Sequence, residues 1–455
     1  MATFLFLTFN FNLYLHSAPN NEPVNPGLDA NNPYILDQRA NPSIENKISE
    51  WSLDEIEEFA VSNNPIYLAE KQNIDMARGD VITASLYRNP VFNYQQQFIP
   101  FSGVSSGGPF GSVLGTANNS GGPIEYAPSI TQDVDVSGVI EKKTQVALKG
   151  FQASIANFED FDRLFRLRLR QNYWLYLYVT ELNDFQKEFY DNYIDLVKLT
   201  KFRAEKGDIS PLEYDRILLE KVRIEKDFRD TEIYRTNVAK ELRYLIGISP
   251  QNNNLSFKGK LKYFPSEKLG INLKTFDIEN RPDLKYFQLK ASQSKLNVDL
   301  KRKEGGIAYL NLGGEVRKKG NETYTGVFAT IPLKIFDRGQ GEILKAEENY
   351  KKSVLELESK RKQIYAEIRA SIKELNAREE LLQTYDDIKL ISKNKDVQEK
   401  YRLAYVRGAT NLVTFLEAER NYLNVLRSYY EQLYLYYNAI ESFRAAIGKL
   451  GTVNE

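Results

Sequence analysis

A helix, a tight glycine turn and a second helix occur twice in this chain at one fixed spacing. The first copy runs through Lys201-Phe202-Arg203-Ala204-Glu205-Lys206, breaks at Gly207-Asp208-Ile209-Ser210-Pro211 and continues to Gly247. The second runs through Tyr401-Arg402-Leu403-Ala404-Tyr405-Val406-Arg407, breaks at Gly408-Ala409-Thr410-Asn411 and continues to Gly448. Gly207 and Gly408 are 201 positions apart, and so are Gly247 and Gly448. At that offset Asn237 matches Asn438, Arg243 matches Arg444 and Ile246 matches Ile447. A constant offset held over about forty positions marks an internal duplication. By length alone, 455 residues suggest about three domains; the duplication argues for two similar halves instead.

Composition narrows the chemistry. Lys plus Arg and Asp plus Glu each total 61, so no net field draws the chain to nucleic acid. Cysteine is absent and His16 is the one histidine, which removes disulfides, zinc fingers, thiol nucleophiles and His-based acid–base catalysis. The sequence has no phosphate loop, metal cluster or catalytic triad, so no catalytic residue, cofactor or metal is expected. No stretch reaches the roughly 20 apolar residues of a membrane-spanning helix. Phe4–Leu15, followed by Ser17-Ala18, resembles the apolar core and cleavage region of an export signal, which would occupy residues 1–18.

Residues 19–50, rich in Asn, Pro and Asp, read as an extended arm. Order begins where Ser52 and Glu55 form a capping box, and that helix ends at Asn63-Asn64. Pro65 opens a second helix to about Tyr87. Strands are expected at about 91–99 and 125–136, on either side of a Gly-rich loop. In the second, Ile130, Val134 and Val136 alternate with Thr131, Asp133 and Asp135, the period of a sheet with one apolar and one polar face. A helical hairpin follows over 138–247, its first helix of about 65 residues reaching about 100 Å.

A polar linker (249–275) separates the halves. The plan then repeats: a helix from Arg281-Pro282, strands at about 307–317 and 324–336, and a hairpin over 339–448. Its first helix is expected to run unbroken from Glu342 to about Arg407. On its partner Phe415, Tyr422, Tyr429, Tyr436 and Phe443 recur every seven residues, a period that implies left-handed supercoiling. The two structural repeats therefore span 51–248 and 276–448, with a tail at 449–455.

Four strands cannot close a barrel, and open edges are not tolerated in lipid. Several copies must combine, or the strands lie outside a membrane. Several motifs together bear on this choice. They are Trp51-Ser52-Leu53-Asp54-Glu55 followed by Asn63-Asn64-Pro65, and Arg88-Asn89-Pro90 before the first strand. Thr330-Ile331-Pro332-Leu333 with Asp337-Arg338-Gly339, and the two glycine turns with their downstream glycines, complete the set. In this order, over roughly residues 50–450, the chain resembles the TolC-like outer-membrane efflux proteins. The resemblance implies a mainly α fold with a membrane β-barrel. Long antiparallel coiled-coil helices would form an α-helical barrel, and four strands per chain would build a 12-stranded barrel in a homotrimer. It implies a passive exit duct in the cell outer membrane, reaching into the periplasm. Its partners would be a periplasmic adaptor, an inner-membrane pump or ABC transporter, and outer-membrane lipid.

The resemblance also assigns sites. Lys206, Gly207, Asp208, Ile209 and Ser210, with Arg407, Gly408, Ala409, Thr410 and Asn411, match the hairpin tips that meet the adaptor. The same glycines serve equally to permit positive φ in a tight turn. Counting from each turn, Glu213, Tyr405, Thr414 and Glu417 fall at the positions of a periplasmic gate, where Glu417 would form a three-fold carboxylate ring. Thr410 and Thr414 depart from the charged residues that well-known members carry there. Two other readings stand beside the duct: a structural coiled-coil protein without a channel, which has no need of amphipathic strands, and a carboxylate enzyme, for which no paired acids stand at a recognisable site. The cargo, whether drug, metal or protein, is not legible.

Overall fold

The computed structural model describes residues 52–96, 125–248, 278–319 and 322–448, with Phe257, residues 259–269 and Ile271 between the halves. The expected export signal and extended arm, the Gly-rich stretch and the C-terminal tail lie outside the described residues. The elements are α1 (Leu53–Asn63), α2 (Pro65–Ser85), β1 (Val91–Gln96), β2 (Glu125–Asp135), α3 (Val139–Glu205), α4 (Pro211–Ile246), α5 (Pro282–Gly305), β3 (Tyr309–Lys319), β4 (Glu322–Thr330), α6 (Gln340–Asp387), α7 (Leu390–Val406) and α8 (Leu412–Ala446). The duplication holds in three dimensions. Gly138, Gly207 and Gly247 have positive φ, and so do Gly339, Gly408 and Gly448, each 201 positions further on.

Local chemistry sets the boundaries. Ser52 N–H donates to Glu55 Oε2 (2.7 Å) and Glu55 N–H to Ser52 Oγ (3.3 Å), closing the capping box of α1. Asn64 then serves two helices. Its Oδ1 accepts the N–H groups of Ile66 and Tyr67 at the start of α2, and its Nδ2 donates to the carbonyls of Tyr244 and Leu245 at the end of α4 (3.0 and 2.9 Å). Arg281 holds the corresponding place in the second repeat. Its guanidinium donates to the Ala446 carbonyl at the end of α8. One polar side chain just before each proline thus satisfies the carbonyls that the last turn of a helix leaves orphaned.

α3 is an unbroken helix of 67 residues, about 100 Å at 1.5 Å per residue. It packs on α2 and α5 toward the strands and on α4 and α8 toward the turns. Its counterpart is not unbroken. The expected single rod ends at Asp387 and resumes at Leu390, with Lys389 at φ 51°, ψ 48° between them. The linker also differs from the polar connector expected: Phe257 and Leu261 are buried in the main core, and Tyr436 and Tyr437 hydroxyls donate to the carbonyls of Phe264 and Lys262.

The four strands form one antiparallel sheet in the order β1-β2-β3-β4. Lys319 pairs with Glu322, so β3 runs two residues past the expected limit. β4 stops at Thr330 rather than 336, two residues before Pro332, which has no N–H to give a ladder.

Candidate functional site

No described helix is long and apolar enough to cross a membrane. The sheet is the element that presents an apolar face. Its register aligns Phe92 with Ile130, Ile130 with Gly314 and Gly314 with Val327. Strand alternation therefore puts Phe92, Tyr94, Ile130, Val134, Leu310, Leu312, Val316, Val327 and Ala329 on one face. Nearly all of them are exposed, Val327 at 92%. The opposite face carries Asn93, Thr131, Asp133, Asn311, Glu315 and Arg317, with Val91 and Phe328 among them. It is cross-linked by polar contacts: Asn311 Nδ2 donates to Asp133 Oδ1 (2.9 Å), Arg88 pairs with Asp133 (2.9 Å) and Arg317 with Glu315 (2.9 Å). An exposed apolar face backed by a hydrogen-bonded polar face is suited to lipid on one side and water on the other.

The far ends of the helices carry the two turns. After α3, Gly207 N–H bonds to Ala204 O (3.0 Å) and Asp208 N–H to Arg203 O (2.9 Å). After α7, Gly408 N–H bonds to Tyr405 O (3.0 Å) and Ala409 N–H to Ala404 O (2.7 Å). Both are the paired closing bonds of a left-handed C-terminal cap. Ser210 Oγ accepts Glu213 N–H (3.2 Å), and Asn411 Oδ1 accepts Thr414 N–H (2.9 Å), so each turn also starts the next helix. Lys206, Gly207, Asp208, Arg407, Gly408 and Ala409 are exposed, Ile209 and Thr410 partly so. A side chain added at Gly207 or Gly408 would meet nothing within 4 Å, so positive φ alone requires glycine there.

The four gate candidates lie beside these turns in different surroundings. Glu417 is exposed and Glu213 half-buried. Thr414 donates its hydroxyl to Asn411 Oδ1 (3.0 Å), within the cap. Tyr405 is buried and stacked on Phe415, ring centroids 4.8 Å apart, and burial beside Glu213 raises its phenol pKa. Sequence reasoning missed the polar groups that join the elements here. Glu220 on α4 is buried and accepts from Arg420 on α8 (2.8 Å) and Arg223 (2.6 Å), bridging the two hairpins. Those guanidinium groups hold its carboxyl below the usual range against the opposing effect of burial, which is the larger single influence. Glu419 on α8 is buried and accepts from Gln398 Nε2 on α7 (2.7 Å). The signal was present: Leu412, Glu419, Leu426, Leu433 and Ile440 form a seven-residue repeat with one acid in it.

The sequence pattern of the family described as outer membrane efflux protein matches residues 278–449. No curated protein matches the chain in sequence. Solved structures match its fold. The Campylobacter jejuni CmeC outer membrane channel is 19% identical, with a TM-score of 0.72, 88% of this chain and 86% of that one covered. The outer membrane protein VceC of Vibrio cholerae is 14% identical (TM-score 0.69; 87% and 96% covered). The open state of the Neisseria gonorrhoeae MtrE outer membrane channel is 16% identical (TM-score 0.66; 88% and 89% covered). The resemblance to outer-membrane efflux proteins thus holds by sequence over the second repeat and by fold over both. The solved structures share the fold class expected above, mainly helical with four strands in the chain.

Proposed function

We propose that three copies of this chain form a passive exit duct across the outer membrane and periplasm, serving a tripartite efflux or type I secretion system. One observation supports this reading above the others: a four-stranded sheet with an exposed apolar face, a polar face and, among the described residues, two unpaired edges, at β1 and β4. Twelve strands from three chains would pair those edges and turn the polar face to a water-filled lumen. β2 and β3, at 11 residues each, have the length that crosses a bilayer when tilted. The helices would continue the lumen, and the exposed turns at Lys206–Ser210 and Arg407–Asn411 would meet a periplasmic adaptor coupled to an inner-membrane pump or transporter. Selection of cargo would lie with that pump.

The test is the state of the chain in cells and in planar bilayers. Heat-modifiable trimers in the outer-membrane fraction that conduct ions agree with the duct; a soluble elongated dimer overturns it in favour of a rod. Within the duct, Glu417 is the exposed gate candidate. Three copies around one axis would attract cations. Glu417→Ala is expected to lower cation selectivity and weaken block by trivalent cations, and unchanged selectivity would remove Glu417 from the gate.

A further inference from the structure

The turn-end half of the second hairpin is held differently from that of the first. α8 presents the buried seven-residue seam Leu412, Glu419, Leu426, Leu433, Ile440. Glu419 is the single ionisable member of that seam. Facing it on α7 is Gln398, and a small cleft around the pair is lined by Phe189 and Tyr193 of α3, Arg402 of α7 and Phe415 of α8. The Tyr193 hydroxyl is buried with no hydrogen-bond partner among the described residues. α7 has two buried side chains, Gln398 and Tyr405. Further ties to α8 include the Tyr405–Phe415 stack, in a buried cluster with Leu412, and a 3.3 Å contact between Asn421 and Asn394. At its upper end lies the break at Ile388-Lys389, which α3 lacks.

We propose that Glu419 and Gln398 form a proton-operated latch: with Glu419 neutral, α7 is held on α8, and with Glu419 ionised, α7 swings away about Ile388–Lys389. An amide facing a neutral acid satisfies a buried seam, whereas a charge placed among leucines demands water. Charged groups reach the region of Glu419 from every element packed there, and Glu188 on α3 and Glu399 on α7 act with it on Tyr422. Arg402 on α7 acts on Glu419 directly. Glu220 and Arg223 on α4, with Arg420 on α8 itself, reach the same region and act on Tyr193. Burial pushes the Glu419 carboxyl up to about 7, against the opposing pull of Gln398 and Arg402. The latched form therefore binds more protons than the released form between the ordinary glutamate value and about 7. Pairing is firmest at the acid end of that window and weakens as pH rises through it.

The latch stands on the geometry of one hairpin and not on the duct reading, so its test uses no transport measurement. Hydrogen exchange of the full chain in detergent, corrected for the chemical rate, is followed from pH 5.5 to 8.5. Residues 390–406 are expected to lose about tenfold or more in protection as pH rises, while α3 stays level. Glu419→Gln, which keeps the shape and cannot ionise, is expected to abolish that pH dependence. Glu419→Leu, which cannot ionise but leaves the buried Gln398 amide without its partner, is expected to be equally independent of pH with protection lower than in Glu419→Gln. Wild-type protection over 390–406 that is level across the range overturns the proposal, and so does a pH dependence that survives in Glu419→Gln.

Discussion

Gly207 and Gly247 share a left-handed backbone, φ 79° and 84°, yet they are glycine for different reasons. Around Gly207 there is open space, whereas a Cβ at Gly247 would lie 3.0 Å from Asn63 O and from Asn64 Cα. Gly207→Ala is expected to cost about 1 kcal/mol, the price of a left-handed backbone alone. Gly247→Ala adds a clash with backbone that cannot turn aside, and is expected to cost roughly 2–4 kcal/mol; thermal unfolding of the two variants side by side checks the order. Asp283 makes a pH prediction. It is buried, bonds Arg281 Nε (3.0 Å) and Nη2 (2.7 Å), and pairs with Lys360 (3.1 Å). These cations hold its carboxyl down at about 2, against a burial effect that would raise it. A depressed pKa contributes stability above the ordinary aspartate value that is lost as pH falls toward 2. Asp283→Asn is expected to flatten that acid limb and to destabilise at neutral pH by about 3 kcal/mol, because it strands buried cations; acid titration by circular dichroism reads both. Ser52–Glu55 and the glycine turns were legible in the sequence because each is a local bargain between neighbours. The Asn64 and Arg281 bonds were not, because their carbonyl partners lie 165–181 positions away.

Among the elements, the break between α6 and α7 is what periodicity could not reveal. Ile388-Lys389 contains neither glycine nor proline, and the apolar pattern continues on both sides. Lys389 occupies a conformation that glycine adopts freely, so Lys389→Gly is expected to raise stability by up to about 1 kcal/mol, whereas glycine one turn away at Asp386 would lower it; melting temperatures separate the two. The aromatic repeat at Phe415, Tyr422, Tyr429, Tyr436 and Phe443 was legible, and Phe415, Tyr436 and Phe443 are buried. The adjacent repeat containing Glu419 was hidden, since one acid in five positions breaks an apolar pattern read by eye. At the other end of the fold, the Phe328 ring lies over Gly313 on the neighbouring strand, where a Cβ would collide with it. Gly305 meets the Arg338 carbonyl in the same way, packing the end of α5 against the start of α6. A glycine inside a strand read from sequence alone suggests weakness; here it makes room for an aromatic ring.

At the scale of the whole molecule, the sheet makes neighbouring residues into opposites. Ile130 and Thr131 are adjacent in sequence and on different faces. The chain has no cysteine, so one introduced thiol carries one spin label. In reconstituted protein, a label at Ile130→Cys is expected to collide mainly with oxygen dissolved in lipid and one at Thr131→Cys mainly with a water-soluble nickel chelate. Equal accessibility at both sites would contradict a sheet set between lipid and lumen. The edges of β1 and β4, unpaired among the described residues, carry a consequence that lies in genetics. If three copies assemble as proposed, a chain altered only along an edge would fold its helices, join two normal sisters and leave a seam in the wall. With three chains drawn at random from equal pools, only about one assembly in eight is free of the altered copy. Edge alleles of this gene should therefore be dominant, whereas alleles that prevent the helices from folding, and so never enter an assembly, should be recessive.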